Sequence, residues 1–143
     1  MLNQKLKARN EERLAGIHPK MASAVRALLD DMDRYGHPMI VTDGVRTAAQ
    51  QRALFEQGRS MPGKIVTYRD GVTIKSNHQP WADGFGHAVD CTFVVDLDAD
   101  GDVDDPTWDE RRPWDLYALV AKSKGLAAGF YWTKPDKPHV EWL

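Results

Sequence analysis

The chain has 143 residues, which predicts one domain (1–143) long enough to bury a core. Hydrophobic residues make up 42% and charged residues 28%, and the net charge of −2 gives no general attraction for nucleic acid. Cys91 is the only cysteine, which excludes an internal disulfide or a cysteine-rich metal knuckle, and no apolar run suits a membrane span or a secretory leader.

Charge is uneven along the chain. The first 26 residues carry six Lys or Arg and two Glu, whereas residues 96–110 carry eight acidic groups and no basic one. Residues 3–15 are helix-prone and polar, with Leu6 and Leu14 as anchors. Pro19 suits a first helical position, and Met21, Val25, Leu28, Met32 and Tyr35 recur at steps of three or four up to a stop at Gly36. Together these form an N-terminal helical region over 1–37. Residues 38–42 read as a short strand. Thr47 and Gln50 have capping-box spacing, opening a helix that stops at Gly58. Residues 59–87 are irregular, a length that in a compact domain points to function or mobility. Ala88–Val95 reads as a buried strand. Pro113 opens a helix with Leu116, Tyr117 and Val120 on one face, closed by Gly125. Residues 129–133 and 139–142 read as two closing strands. The class is α+β, with helices packed on a small antiparallel sheet.

A catalytic zinc site needs three protein ligands, an open position for water and a nearby base. His139 and Glu141 alternate on one face of the last strand. Asp136 is a spare carboxylate three residues before His139, and Pro138 between them calls for a turn entering a strand. Asp90 interrupts an apolar strand, where a carboxylate is either ion-paired or bound to metal. His78, in the loop Ser76-Asn77-His78, reads by itself as a solvated imidazole or a ligand.

Ser76-x-His78, Gly86-x-Ala88-x-Asp90 and Asp136-x-x-His139 together resemble the zinc D-Ala-D-Ala carboxypeptidase family (VanY-like), and most of all its phage-endolysin L-alanyl-D-glutamate endopeptidases. The resemblance extends upstream through residues 42–47, Gln51, Leu54 and 58–67, so it covers 38–143. It implies a hedgehog/DD-peptidase-like fold. It also implies zinc held by His78, Asp90 and His139, Asp136 as catalytic base, and Arg46 facing the substrate carbonyl. Ser76 and Glu141 are expected to hold the ligands. The implied reaction is hydrolysis of peptidoglycan stem peptides, at the L-Ala–D-Glu bond, by a monomer. By the same resemblance the enzyme is expected to be made in the host cytoplasm and to reach the wall through a lysis pore. A D,D-carboxypeptidase with the same chemistry is the alternative, and a non-catalytic wall-binding or calcium-binding module is the alternative of another class. One departure stands out. The family pattern separates His and Asp by seven residues, whereas His78 and Asp90 are twelve apart. His87 therefore rivals His78, although His78 alone carries the Ser-x-His context.

Asp96, Asp98, Asp100, Gly101, Asp102 and Asp104 have the D-x-D-x-D-G spacing of a calcium loop, with Thr107 where the closing Glu belongs. A calcium site and a solvated acidic loop are both open readings. Trp108, Trp114, Trp132 and Trp142 are expected in the core or on cleft walls. Trp81, in the lengthened loop, is expected to touch substrate.

Overall fold

A computed structural model of the chain describes residues 2–72 and 74–142. Helix α1 (Gln4–Leu14) begins at Asn3, whose side chain accepts the Leu6 N–H. Helix α2 (Pro19–Arg34) has proline in its first turn and buries Met21, Val25, Leu28 and Met32 along one stripe. Tyr35 does not join that stripe. It is the C-cap and is exposed, because the helix ends at Arg34. Helix α3 (Ala48–Glu56) carries the expected capping box but buries only Gln51, so it is a surface helix anchored by a polar side chain. Helix α4 (Trp114–Ser123) buries Trp114, Tyr117 and Val120.

Strands β1 (Met39–Asp43), β2 (Ala88–Val95), β3 (Asp105–Thr107), β4 (Ala127–Ala128) and β5 (His139–Glu141) form one antiparallel sheet. β2 is its centre, pairing with β1 on one side and with β3 and β5 on the other. Side chains alternate between the faces of a strand. Val89, Cys91 and Phe93 of β2 therefore enter the main core with α2, α4 and Val140. Val94 turns the other way, to join Ile40 under Leu2 and Leu6 at the start of the chain. Asp90 shares this second face, beyond the reach of α1, and the functional side chains gather there.

Two elements differ from expectation. β3 lies in the acidic region, where Asp and Pro disguise it. Proline is tolerated there because the strand is short and sits at an edge. Residues 129–131 form a 3₁₀ turn, and the strand before it is only β4. The cause is crowding. A Cβ on Gly129 would stand 2.3 Å from the Asp136 carbonyl oxygen, and the Gly129 carbonyl accepts from both Trp132 and Asp136.

The free edge of β1 is covered by α1. The Asn10 amide oxygen accepts the Val41 N–H at 2.9 Å, and Arg13 donates to the Val41 carbonyl at 2.7 Å. Asn10→Ala leaves that buried N–H unpaired, so it is expected to lower stability by about 1–3 kcal/mol. Urea unfolding of the two proteins checks this. Among the described residues no helix is long and apolar enough to cross a membrane.

Candidate metal centre

The sheet register delivers the site. Asp43 of β1 lies opposite Asp90 of β2, and Asp90 lies opposite His139 of β5. Opposed residues of antiparallel strands are side-chain neighbours, so three distant stretches of sequence converge on one spot. His78 arrives from the long loop. The Ser76 hydroxyl accepts the His78 N–H at 3.2 Å, and Gln79 Oε1 accepts the Ser76 N–H at 3.0 Å. The His78 carbonyl accepts the Arg46 N–H at 2.8 Å. These bonds close a turn that buries the His78 ring beside Asp90.

His139 Nδ1 lies 3.2 Å and His78 Nε2 3.6 Å from Asp90 Oδ1. The far nitrogen of each ring is already engaged, His78 Nδ1 with the Gly44 carbonyl at 2.8 Å and His139 Nε2 with Glu141 Oε1 at 2.7 Å. Those oxygens accept only. In the neutral rings they fix the proton on the far nitrogen and leave a lone pair directed to Asp90. Glu141 is itself held by the Asn77 amide at 2.7 Å. Asp90 Oδ1 is buried and accepts no hydrogen bond. An orphaned buried carboxylate oxygen is costly. The three facing atoms lie within 4.8 Å of one another, and two imidazole nitrogens with one carboxylate oxygen are a donor set suited to zinc. Electrostatics agrees. Burial alone would raise the Asp90 carboxyl, but His139 and His78 hold it below the usual carboxylate range. Burial alone would lower His139, yet Asp90 and Glu141 push it up to about 9. The cluster draws positive charge to its centre.

A cavity of about 420 Å³ opens onto the cluster, lined in part by Arg46, Ser76, His78, Trp132, Asp136 and His139. The Asp136 side chain is half-exposed, with Oδ2 3.9 Å from His139 Nδ1. Burial and then the Asp90 charge push its carboxyl above the ordinary range. Its turn is pinned from behind, because the Pro138 carbonyl accepts from the Tyr117 hydroxyl at 2.8 Å and from Cys91 N–H at 3.0 Å. The Arg46 guanidinium is clamped by Asp43 (2.5 and 2.8 Å) and by Gln51 Oε1 (2.9 Å), and stands 3.6 Å from Asp90.

No protein-family model matches the chain. Over 128 residues it is 27% identical to the peptidoglycan L-alanyl-D-glutamate endopeptidase CwlK of Bacillus subtilis (strain 168), spanning 89% of this chain and 74% of that protein. Its fold matches the Serratia marcescens L-Ala D-Glu endopeptidase ChiX with a TM-score of 0.66 at 26% identity, over 95% of this chain and 87% of the other. The D,D-pentapeptidase VanY of a VanB-type resistance cassette, whose structure is a complex with Zn(II), matches in fold with a TM-score of 0.57 at 17% identity, over 88% and 72%. In sequence and in fold the chain resembles the VanY-like zinc peptidases and their L-alanyl-D-glutamate endopeptidase branch. It is a zinc metallopeptidase, homologous to L-alanyl-D-glutamate endopeptidases.

In this VanY-like peptidase the lengthened loop leaves the metal centre alone. His87 points elsewhere, with Nε2 bonded to Asp83 at 2.7 Å and its ring against His18 and Trp142. Trp81 does not line the cavity. The inserted residues fold into a turn that sets its indole beside His87 and over Lys75. The exposed aromatics that do line the cavity are Tyr68 and Trp132, the latter 4.9 Å from His139. Trp114 is in the core, while Trp108 is exposed. Asp43, Gly44, Gln51 and Asn77 support the site, yet no candidate list drawn from motif chemistry includes them. Asp43, Gly44 and Gln51 lie in the upstream run that carries the resemblance, but their roles emerge only from the cross-strand register, the reach of α3 and the fold of the loop.

The acidic run is an exposed loop. Carboxylates of Asp96, Asp98 and Asp100 converge, as do those of Asp100, Asp102 and Asp104. Several already accept the loop's own N–H groups, as Asp96 does from Asp100 and Gly101, while Asp105 holds Leu97 and Asp98. Desolvation first, and then Asp100 and Asp105, push Asp98 up to about 6.

Proposed function

We propose that this chain hydrolyses the L-Ala–D-Glu bond of peptidoglycan stem peptides, as a monomer, since one chain supplies every group of the site. The observation that carries the reading is the convergence of His78 Nε2, Asp90 Oδ1 and His139 Nδ1 on one point, with the half-exposed Asp136 beside them in an open cavity. Similarity to CwlK and ChiX supports the choice of bond.

Zinc held by those three side chains supplies a water of lowered pKa and a Lewis acid for the scissile carbonyl. Asp136 accepts the proton of the attacking water at its carboxylate and returns it to the leaving amine. A carboxyl raised above the ordinary range is suited to both directions of transfer. Glu141 and the Gly44 carbonyl orient the two imidazoles, so the ligands need no rearrangement to bind. Three of the five Arg46 N–H donors serve Asp43 and Gln51. The remaining donors face developing negative charge on the carbonyl oxygen, already oriented by the clamp. Trp132 shields one wall of the site from water.

The setting we propose is that of an endolysin. Co-expression with a lysis pore is then expected to turn accumulated enzyme into cell lysis. The direct test of the chemistry is metal removal. Release of new amino termini from purified peptidoglycan is expected to stop after chelation and to return with zinc but not magnesium. Undiminished hydrolysis by metal-free protein would overturn the reading.

A further inference from the structure

We propose that Lys134 reads the anionic side of the substrate, pairing its ammonium with the free α-carboxylate next to the scissile nitrogen. The inference rests on the L-Ala–D-Glu reading above. In that linkage the glutamate continues the peptide through its side-chain carboxyl, so its α-carboxylate stays free on the carbon bonded to the scissile nitrogen.

Three Lys or Arg side chains line the cavity: Arg46, Arg69 and Lys134. Arg46 is matched by Asp43 and lies near Asp90, so its charge is already answered. Arg69 is held by its own loop, donating to the Lys75 carbonyl at 2.8 Å. Lys134 differs. Among the described residues its ammonium has neither an ion-pair partner nor a hydrogen-bond acceptor, and it stands over the Tyr68 ring, 4.6 Å from the centroid. The aromatic face steadies a cation without neutralising it. Lys134 is exposed on the turn that carries Asp136, two residues before it, and Trp132 of the same turn packs against His139. The reacting centre and the unmatched charge therefore belong to one rigidly pinned turn. The carboxylates lining the cavity offer an entering anion nothing: Glu141 is taken by His139 and Asn77, and Asp136 has the role of base. Lysine suits this task because a flexible stem carries a compact charge to a point.

The test compares two synthetic peptides that differ only at this carboxylate, one with D-glutamate and one with its α-amide, D-isoglutamine. The zinc-loaded parent is expected to favour the acid in kcat/KM by about tenfold, the scale of a charge-assisted contact at a partly screened site. Lys134→Gln should bring that ratio close to one by raising KM for the acid, whereas Lys134→Arg should keep most of it. Dissociation constants for the two peptides on Asp136→Ala protein give a readout independent of turnover, with the same expected ratios. A ratio unchanged by Lys134→Gln, or a parent without preference for the acid, overturns the proposal while leaving the peptidase reading intact. A parent that cleaves neither peptide removes the L-Ala–D-Glu reading and this inference with it.

Discussion

Asp136→Ala is expected to bind a full equivalent of zinc, to unfold at the parent denaturant concentration or slightly above it, and to cleave peptidoglycan about 10²–10⁴-fold more slowly. The three outcomes follow from one geometry. Asp136 Oδ2 is 3.9 Å from the nearest ring nitrogen and is not one of the three converging donors, so its loss leaves the metal site complete. Its carboxylate is half-exposed, and burial and then the Asp90 charge raise its pKa, so removing it relieves an unfavourable ionisation and gives up only the long 3.9 Å contact with His139. What disappears is the group that moves the proton. Asp136→Asn keeps the size of the side chain and should be as impaired as the alanine variant. Zinc analysis, urea unfolding and a peptide-release assay on the same preparations check this, and parental hydrolysis by either variant would remove Asp136 from the mechanism.

His78→Ala and His87→Ala are expected to part company completely. His78→Ala removes one of three donors and exposes a void beside Asp90, so retained zinc should fall well below one equivalent and hydrolysis should vanish with it. The loss of affinity should exceed the roughly 10–100-fold that follows loss of a residue merely supporting a ligand. His87→Ala removes a ring bonded to Asp83 and packed on His18 and Trp142. It should keep zinc and most activity, with a stability loss on the order of 1 kcal/mol from lost packing at a partly exposed position. Zinc content by elemental analysis after desalting separates the two. A full equivalent in His78→Ala would contradict the assignment.

The parts of the fold legible in the sequence are those that rest on periodicity. Met21, Val25, Leu28 and Met32 recur at helical spacing because they face one core, and residues 88–95 are apolar because β2 is covered on both faces. β3 was hidden because Asp105-Pro106-Thr107 owes its strand conformation to pairing with β2, not to propensity. The 3₁₀ turn at Gly129 is hidden because it depends on the loop folding back to bring the Asp136 backbone, seven residues on, against it. The same division holds at the site. His78, Asp90, Asp136 and His139 are legible as a set only through the resemblance that their motifs carry together, and Glu141 through strand alternation with His139. Asp43 is invisible without the register that places it opposite Asp90, and Gly44 acts through a carbonyl that no side-chain motif encodes. The expectation that Trp81 would reach substrate rested on its place in the long loop. The loop instead folds on itself, closed by bonds between Trp81 and Phe85 and between Gly84 and Trp81.

The most direct measurement of the central claim is mass analysis of purified peptidoglycan digested by the zinc-loaded protein. Stem peptides with a new amino-terminal D-glutamate, together with muramyl fragments ending in L-alanine, are the predicted products. Release of D-alanine alone, or an undigested polymer in the presence of bound zinc, would contradict it.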